Sequence, residues 1–446
     1  MPEPVPYAVD RPDSLAPERY YDRSFADLER RRLWTRAWQM ACRLEELPAA
    51  GDYVEYTIAD QSVVLVRVDD DTVRGYHNAC RHRATQLAVG SGTFGELGII
   101  CPFHGWRWAL DGTNTFVYAP HTFDEARLAP GELCLRQVRV DTWGGCVWIT
   151  LDPDAPPLLD ALDPMPSLLD PLGVADMRVR WWKGVVLDAN RKLAQEAFME
   201  GYHVPQTHPQ LTLGHPERYD PDSLVYDVHD HGHSSFVLRP NAQAAKGAAV
   251  GVAAVDAVIE SAHRLHRGLE SMTLERDVHV IESMRHRPIP EDSTFGAELV
   301  RAVYEYAAAA GIPMPPPEPS ALARWGGVFF VFPNYFVLPQ YGNALVYRVR
   351  PLGDDPERCL FELWSLSIPP EGTPDERPVM GGPYAPDDTG HWPAIPLQDF
   401  SNIGRQQRGV HSRSFDGPLL SRTYEAGIVT MHRELDRYLA EPEGVR

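Results

Sequence analysis

Lysine is almost missing from this sequence of 446 residues: Lys183, Lys192 and Lys246 are all it has, so arginine supplies nearly every positive charge. Positive charge is the minority in any case, with 42 Lys and Arg against 62 Asp and Glu, a net charge of −20. Such a surface lacks the basic field that a phosphate backbone requires, which excludes nucleic acid as an expected partner. Long apolar runs are missing too. A run such as Val328–Pro333 falls far short of the about 20 apolar residues of a membrane helix, so no membrane association is expected. Six scattered cysteines are too few for a disulfide framework. The opening MPEPVPYAVDRPDS has no basic stretch followed by an apolar one, so no secretory leader is expected and the cytoplasm is the expected compartment. No Gly-rich dinucleotide-binding fingerprint is evident after a strand, so the chain is not expected to bind NAD(P)H or a flavin itself.

What is present falls into two textures. Residues 18–40 put Phe25, Leu28, Leu33, Trp34 and Trp38 near helical spacing, which predicts an N-terminal helix. From Gly51 to about Leu151 come short β-rich runs (VEYTIA, SVVLVRV, CVWITL) cut by Gly and Asp turns, which predict an all-β module. The proline-rich DPDAPPLLDALDPMPS then leads into a region mixing helix-like and strand-like segments. There Asn190–His203 and Ala253–Ser271 are predicted helical, and AAKGAAVGVAAVDAVIESAHRL and LVRAVYEYAAAAG are expected as helices over a pocket. GGVFFVFP, NALVYRV and CLFELWSL are predicted strands of an antiparallel sheet.

The β module holds Cys80-Arg-His82 and, after an intervening Gly-rich loop, Cys101-Pro-Phe-His104. Two thiolates with two imidazoles suit either a structural zinc ion or an iron–sulfur cluster in which histidines ligate one iron. The setting favours the cluster: each pair is expected at the tip of a hairpin-like turn, and Gly105 directly after the last donor would let backbone amides approach the cluster sulfurs. Arg81, Arg83 and Arg107 flank these donors and could form a basic dock for an acidic electron donor.

The quoted stretch NACRHRATQLAVGSGTFGELGIICPFHGWRW resembles the Rieske domain of the Rieske non-haem iron oxygenases, the catalytic alpha subunits of aromatic-ring-hydroxylating systems. The resemblance implies a [2Fe-2S] cluster with Cys80 and Cys101 on one iron and His82 and His104 on the other. Ala84 departs from the pattern, standing where the family usually has glycine.

In the second region, Glu200-Gly-Tyr-His203-Val-Pro-Gln-Thr-His208 sets two histidines about 140° apart on an ideal helix, so a break must lie between them, and Pro205 is the candidate. The run ANRKLAQEAFMEGYHVPQTHP resembles the iron-binding helix of the same oxygenases, which implies that His203 and His208 hold a mononuclear Fe(II). A 2-His-1-carboxylate site needs one acid and leaves positions open for dioxygen. The resemblance of PLQDFSNIGRQQRG to the family's late segment points to Asp399, with Asp387 and Asp388 as local competitors and a helix N-cap as the plain alternative. Glu200, three residues before His203, is expected on the same helix face, where it could orient that histidine. In the family the acid at this position bridges the metal centres of two subunits. Ala197 and Arg191 stand where the family commonly has Asn and Trp.

These readings predict an α+β chain: residues 1–40 as a helical segment packed on the catalytic domain, 41–151 as an all-β Rieske [2Fe-2S] domain, and 152–446 as a helix-grip catalytic domain. The expected activity is that of a terminal oxygenase. It takes electrons from a ferredoxin or an NAD(P)H-dependent reductase and uses O2 to mono- or dihydroxylate an apolar, aromatic or polycyclic substrate, as in aromatic hydrocarbon catabolism. Oxidative O- or N-demethylation is the alternative, and an electron-transfer or zinc-binding protein the remote one. By resemblance the assembly is a homotrimer, with or without a beta subunit. Phe330, Phe332, Asn334 and Phe336 are pocket candidates by strand alternation. His229, His231 and His233 form an alternating tract that reads more simply as a polar strand or loop.

Overall fold

The computed structural model describes residues 4–129, 131–212, 224–238 and 252–440. The AAKGAAV part of the expected pocket helices lies outside them. The chain forms two compact units. One holds the residues up to Ala26, Leu162–Pro374 and Met380–Ala440, and the other Asp27–Ala161 with Asp375–Val379. The divisions thus fall near residues 26 and 161, where the sequence placed them near 40 and 151.

The smaller unit is all-β in its core. Seven strands run in the order Gln39–Arg43, Cys146–Thr150, Gln137–Trp143, Val73–His77, Gln61–Arg67, Asp52–Ile58, Ser91–Thr93, and a three-stranded sheet joins Ile99–Ile100, Arg107–Trp108 and Asn114–Phe116. The helix expected over 18–40 is shorter: Arg23–Arg32, preceded by a single turn at Pro17–Tyr20. Three arginines close its last turn, where cations suit the helix dipole. The buried Gln39 amide then donates to the Trp34 carbonyl at 2.8 Å, and Gln39–Arg43, buried throughout, pairs antiparallel with Cys146–Thr150. Trp34 and Trp38 lie in the turn and link past that helix, where the Trp34 amide still reaches back to the Glu29 carbonyl at 3.2 Å, and sheet pairing begins at Gln39.

The larger unit is built on an eight-stranded sheet, ordered Leu224–Val228, Ser234–Leu238, Val328–Val331, Tyr335–Gln340, Asn343–Pro351, Cys359–Ser367, Arg178–Leu187, Gly381–Tyr384. All pairings are antiparallel except the last, where Arg178–Leu187 runs parallel to Gly381–Tyr384. The central strands read as near-continuous apolar runs because both faces are covered. Their one fully buried charge is paired: Glu362 accepts from Arg348 at 2.7 and 2.8 Å and from Arg350 at 3.0 Å, and Arg348 lies directly opposite it in the register. Helices Val252–Leu269, Glu275–Ser283 and Phe295–Ala309 share a separate apolar core. The fold is therefore mixed α+β: an all-β module and a catalytic unit of antiparallel sheet and helices.

The alternation proposed for Phe330 to Phe336 does not run through, because a turn separates the two strands. Phe330 and Phe336 are cross-strand partners with rings 4.8 Å apart. Phe332 instead stacks on Tyr438, and the buried Asn334 amide donates to the Val349 carbonyl at 3.0 Å.

Candidate metal centres

In the β unit, two loops carry the Cys/His pairs. The first follows Val73–His77 and is closed by one buried side chain. Asn78 donates to the Ala88 carbonyl at 2.7 Å and accepts from the Leu87 and Ala88 amides at 2.9 and 3.1 Å. Only the second loop is a hairpin tip, Cys101 to Trp106 between the paired strands Ile99–Ile100 and Arg107–Trp108. The strands around the first loop pair with other neighbours, so Asn78 does there what a hairpin would have done. Both loops close alike: the Ala84 amide returns to the Cys80 carbonyl at 2.9 Å, and the Gly105 amide to Cys101 at 3.0 Å. Both residues are left-handed, at φ +60° and +70°. A Cβ at 105 would meet no protein atom within 4 Å, and the left-handed φ is what favours glycine there.

The four donors converge. The Cys80 and Cys101 thiols are close enough to interact electrostatically, and the His82 and His104 rings are 4.7 Å apart. Burial pushes the Cys80 thiol above its ordinary pKa, backbone N–H groups of His82 and Arg83 pull it down, and Cys101 raises it. Those two amides act on the Cys80 sulfur, while the Gly105 amide closes its own loop on the Cys101 carbonyl. His82 stacks on Trp106 at 4.9 Å, and its Nδ1, although buried, has no hydrogen-bond partner. A buried, unpartnered imidazole nitrogen beside a second imidazole and two thiols is the donor set of a cluster held by two cysteines and two histidines. Of the flanking arginines only Arg83 is exposed, lying 5.7 Å from the Phe103 ring. Arg81 donates to the Glu132 carbonyl, and Arg107 covers Phe116.

In the larger unit the predicted helix Asn190–His203 ends early, at Glu196. It begins with an Asn190 cap, whose side chain accepts the Lys192 amide at 2.9 Å. The break comes before His203, not at Pro205. Pro205 stands in the first turn of a four-residue helix, Val204–Thr207, where its missing N–H costs nothing. His203 and His208 bracket that turn as its two caps. Glu200 therefore sits in a turn and not on a shared helix face. One of its oxygens accepts the His203 backbone amide at 2.9 Å, and the other meets His203 Nδ1 at 2.8 Å.

Asp399 lies inside the helix Ala394–Gly409, whose N-cap is Pro393, so the capping alternative falls. Its carboxylate is 4% exposed and faces both rings: Oδ1 is 3.0 Å from His208 Nε2 and 3.8 Å from His203 Nε2. One donor atom from each of the three residues lies within 4.8 Å of the others. Asp388 is instead engaged by His391 at 2.9 Å. Each ring holds its other nitrogen away. His203 Nδ1 is against Glu200, and His208 Nδ1 is 2.7 Å from Gln398 Oε1. An N–H donated at Nδ1 leaves a lone pair on Nε2, so two lone pairs and a carboxylate converge on one point, which fits a metal ion with a face left open. Burial works against charge on His203, but the hydrogen bond and charge of Glu200, with Asp399, raise its pKa.

Residues that sequence reasoning missed complete the surroundings. Gln398 had no signal beyond adjacency to Asp399. A network under the Arg191–Glu196 helix joins Arg19, His432, Glu196 and Tyr20: Arg19 Nε donates to His432 Nδ1 at 2.9 Å, His432 Nε2 meets Glu196 at 2.7 Å, and the Tyr20 hydroxyl donates to Glu196 at 3.1 Å. A cavity of about 450 Å³ is lined by Tyr20, Glu196, Glu200, His203, Asp399 and Glu425, among others. Beside Asp399, Phe400 joins an aromatic set with Trp392, Phe361, Tyr347 and Phe198, ring centroids 4.8 to 5.9 Å apart. The histidine tract does not converge: His229 bonds Ser235, and His233 Nδ1 accepts the Phe332 amide.

Comparison with known proteins gives the following. Residues 37–124 match the Rieske [2Fe-2S] domain, and residues 174–441 match the ring hydroxylating alpha subunit (catalytic domain). The glycine betaine monooxygenase oxygenase subunit of Chromohalobacter salexigens is 26% identical over 422 residues, 94% of this chain and 84% of that protein. Among solved structures, a quaternary ammonium Rieske monooxygenase in complex with L-carnitine superposes with a TM-score of 0.64 at 18% identity, covering 98% of this chain and 99% of that one. Naphthalene 1,2-dioxygenase from Rhodococcus sp. bound to indole does so with 0.64 at 19% identity, covering 96% and 94%. At those identities the two structures speak for the fold alone.

Proposed function

This chain belongs to the ring-hydroxylating alpha subunits, the catalytic components of Rieske non-haem iron oxygenases, and on that premise we propose that it monooxygenates a small quaternary ammonium compound. It is a terminal oxygenase with a Rieske [2Fe-2S] cluster and mononuclear iron as its cofactors. It receives electrons from a reductase or ferredoxin. The balance of the proposed reaction is substrate C–H, O2, two electrons and two protons to substrate C–OH and water.

When bound, the cluster supplies single electrons and the ferrous ion activates dioxygen. The protein's residues hold and orient. In the proposal, Cys80, Cys101, His82 and His104 hold the cluster, and His203, His208 and Asp399 hold the iron. The convergence of the last three carries the reading, because an electron carrier has no use for a second, open site. Glu200 fixes the His203 ring through Nδ1 and carries the electron path to the cluster of a neighbouring subunit in a cytoplasmic homotrimer. Arg83 belongs to the face that meets the electron donor.

Two observations support the substrate class. The relative matched over 94% of this chain is named for glycine betaine, and the solved structure bound to L-carnitine shares the fold across the whole chain. The family match itself, to a ring hydroxylating alpha subunit, supports a second reading, hydroxylation of an aromatic ring. A panel of betaine-, choline- and carnitine-type compounds and of simple arenes, run with ¹⁸O2 and a reductase, separates them. One labelled oxygen in an oxidised quaternary ammonium product, with O2 uptake matched to product, is expected. A cis-diol with two labelled oxygens from an arene would replace it with the second reading.

A further inference from the structure

The two histidines at the three-residue site are oriented by unlike partners. His203 faces a carboxylate, Glu200, whereas His208 faces a neutral amide, Gln398, at 2.7 Å. A free glutamine amide is a poor guarantor of tautomer, since turning it over would present an N–H donor to His208 and favour the opposite ring proton. Here the amide is not free. Gln210 Nε2 donates to Gln398 Oε1 at 2.8 Å, and Gln398 Nε2 donates back to Gln210 Oε1 at 3.3 Å. This reciprocal amide pair couples the two side chains, so Gln398 cannot turn its N–H toward His208 unless Gln210 turns with it. Gln398 directly precedes Asp399 in the helix Ala394–Gly409, so one helical turn delivers both the carboxylate and the partner of the second imidazole.

We propose that Gln398, locked by Gln210, is a positioning residue for the mononuclear site: its carbonyl keeps His208 in the Nδ1–H form and so commits Nε2 to the metal. This rests on the reading of His203, His208 and Asp399 as iron ligands. A residue acting on tautomer differs from one that only fills space, because replacement by any acceptor of similar length restores it.

The test uses the full chain with its cluster in place and three variants: Gln398→Leu, Gln398→Glu and Gln210→Leu. Loss of Fe(II) to a ferrous chelator is timed, and the proton NMR spectrum is recorded after Co(II) replaces the mononuclear iron. The unaltered protein should show two slowly exchanging, strongly shifted imidazole N–H signals. Gln398→Leu should release Fe(II) about 10- to 100-fold faster and lose one of those signals, with the cluster absorbance unchanged. Gln398→Glu should restore both, and Gln210→Leu should give a smaller, several-fold acceleration. Gln398→Leu with wild-type release and both signals intact would overturn the inference, and so would Gln398→Glu that fails to rescue. An unaltered protein that binds no metal beyond its cluster would instead sink the ligand assignment itself.

Discussion

Around residues 80 to 104 the donors come from two neighbouring loops, and one of their imidazole nitrogens, His82 Nδ1, is buried without a partner. At the second site the donors come from one short turn and a helix nearly two hundred residues later, and each histidine has its non-facing nitrogen hydrogen-bonded. The difference is chemical. Where a loop backbone fixes the rings by stacking, as Trp106 fixes His82 at 4.9 Å, the nitrogen facing inward is left for the metal. Where the rings stand on a turn beside a cavity, tautomer must be set by named acceptors. The β site is held by its loops, and the three-residue site by its hydrogen bonds.

The largest effect that would break this contrast is loss of one centre with the other intact. Asp399→Ala removes the only carboxylate in the three-residue group. Metal analysis should find the mononuclear iron gone, the cluster spectrum unchanged and product formation abolished. If both centres disappear together, the two sites are not separately held. Next in size is Glu200→Gln. The amide can still accept from the His203 ring or backbone, so both metals should stay. Coupled turnover should nevertheless fall roughly 10- to 100-fold. Near-normal turnover would show that the carboxylate charge is not needed.

The same contrast explains what could be read in advance. The β module and its donors were legible because the chemistry is local: Cys80 and His82, or Cys101 and His104, are spaced by the loop that holds them. His203 and His208 were legible as a pair, but the reason offered was wrong, since the helix stops at Glu196 and Pro205 starts a new turn instead of breaking an old one. Asp399 was reachable only through family likeness, because an acid in PLQDF looks the same buried or capping. Gln398 and the Glu196 network were invisible. Glutamine has no spacing rule, and a buried glutamate on Arg191–Glu196 is legible only once Tyr20 and His432 have been brought to it by long-range packing.

That network gives the third prediction. Burial raises the Glu196 carboxyl to about 8, against the Tyr20 hydrogen bond and the Lys192 and Arg19 charges, while Glu425 adds to the rise. His432, neutral because burial and the cations around it depress its pKa, does not compensate. A group whose folded pKa is raised keeps its proton in the fold after the unfolded chain has released it. Stability is then lost as pH climbs from the ordinary carboxylate range to about 8. Below about pH 6.5 His432 acts oppositely, since the unfolded imidazole takes up a proton the buried one refuses. Between pH 6.5 and 8 His432 drops out, while Asp277, raised by burial to about 7, adds a loss of the same sign, so Glu196 is isolated by comparison with its own variant. Thermal melts there should fall with rising pH in the unaltered protein and fall less steeply in Glu196→Gln, while the temperature at which the cluster bleaches should not respond to the substitution. Parallel slopes would show that Glu196 is ionised in the fold.

The smallest effect concerns the loops that distinguish the β site. Ala84 and Gly105 close them with the same amide-to-carbonyl bond and the same left-handed backbone, yet only one is glycine. An L-residue there costs roughly 1–2 kcal/mol, and glycine returns about 0.5–1 kcal/mol of that as chain entropy lost on folding. Ala84→Gly should therefore stabilise the β unit by at most about 1.5 kcal/mol, and Gly105→Ala should destabilise it by a similar amount, since a Cβ at 105 meets no protein atom. Both are read as shifts in the temperature of cluster loss. A rise for the first and a fall for the second would establish that loop conformation holds this site. If Gly105→Ala instead prevented cluster insertion altogether, the room beside Gly105 would matter more than its φ, and the amide-to-sulfur role first expected for that glycine would have to be reconsidered.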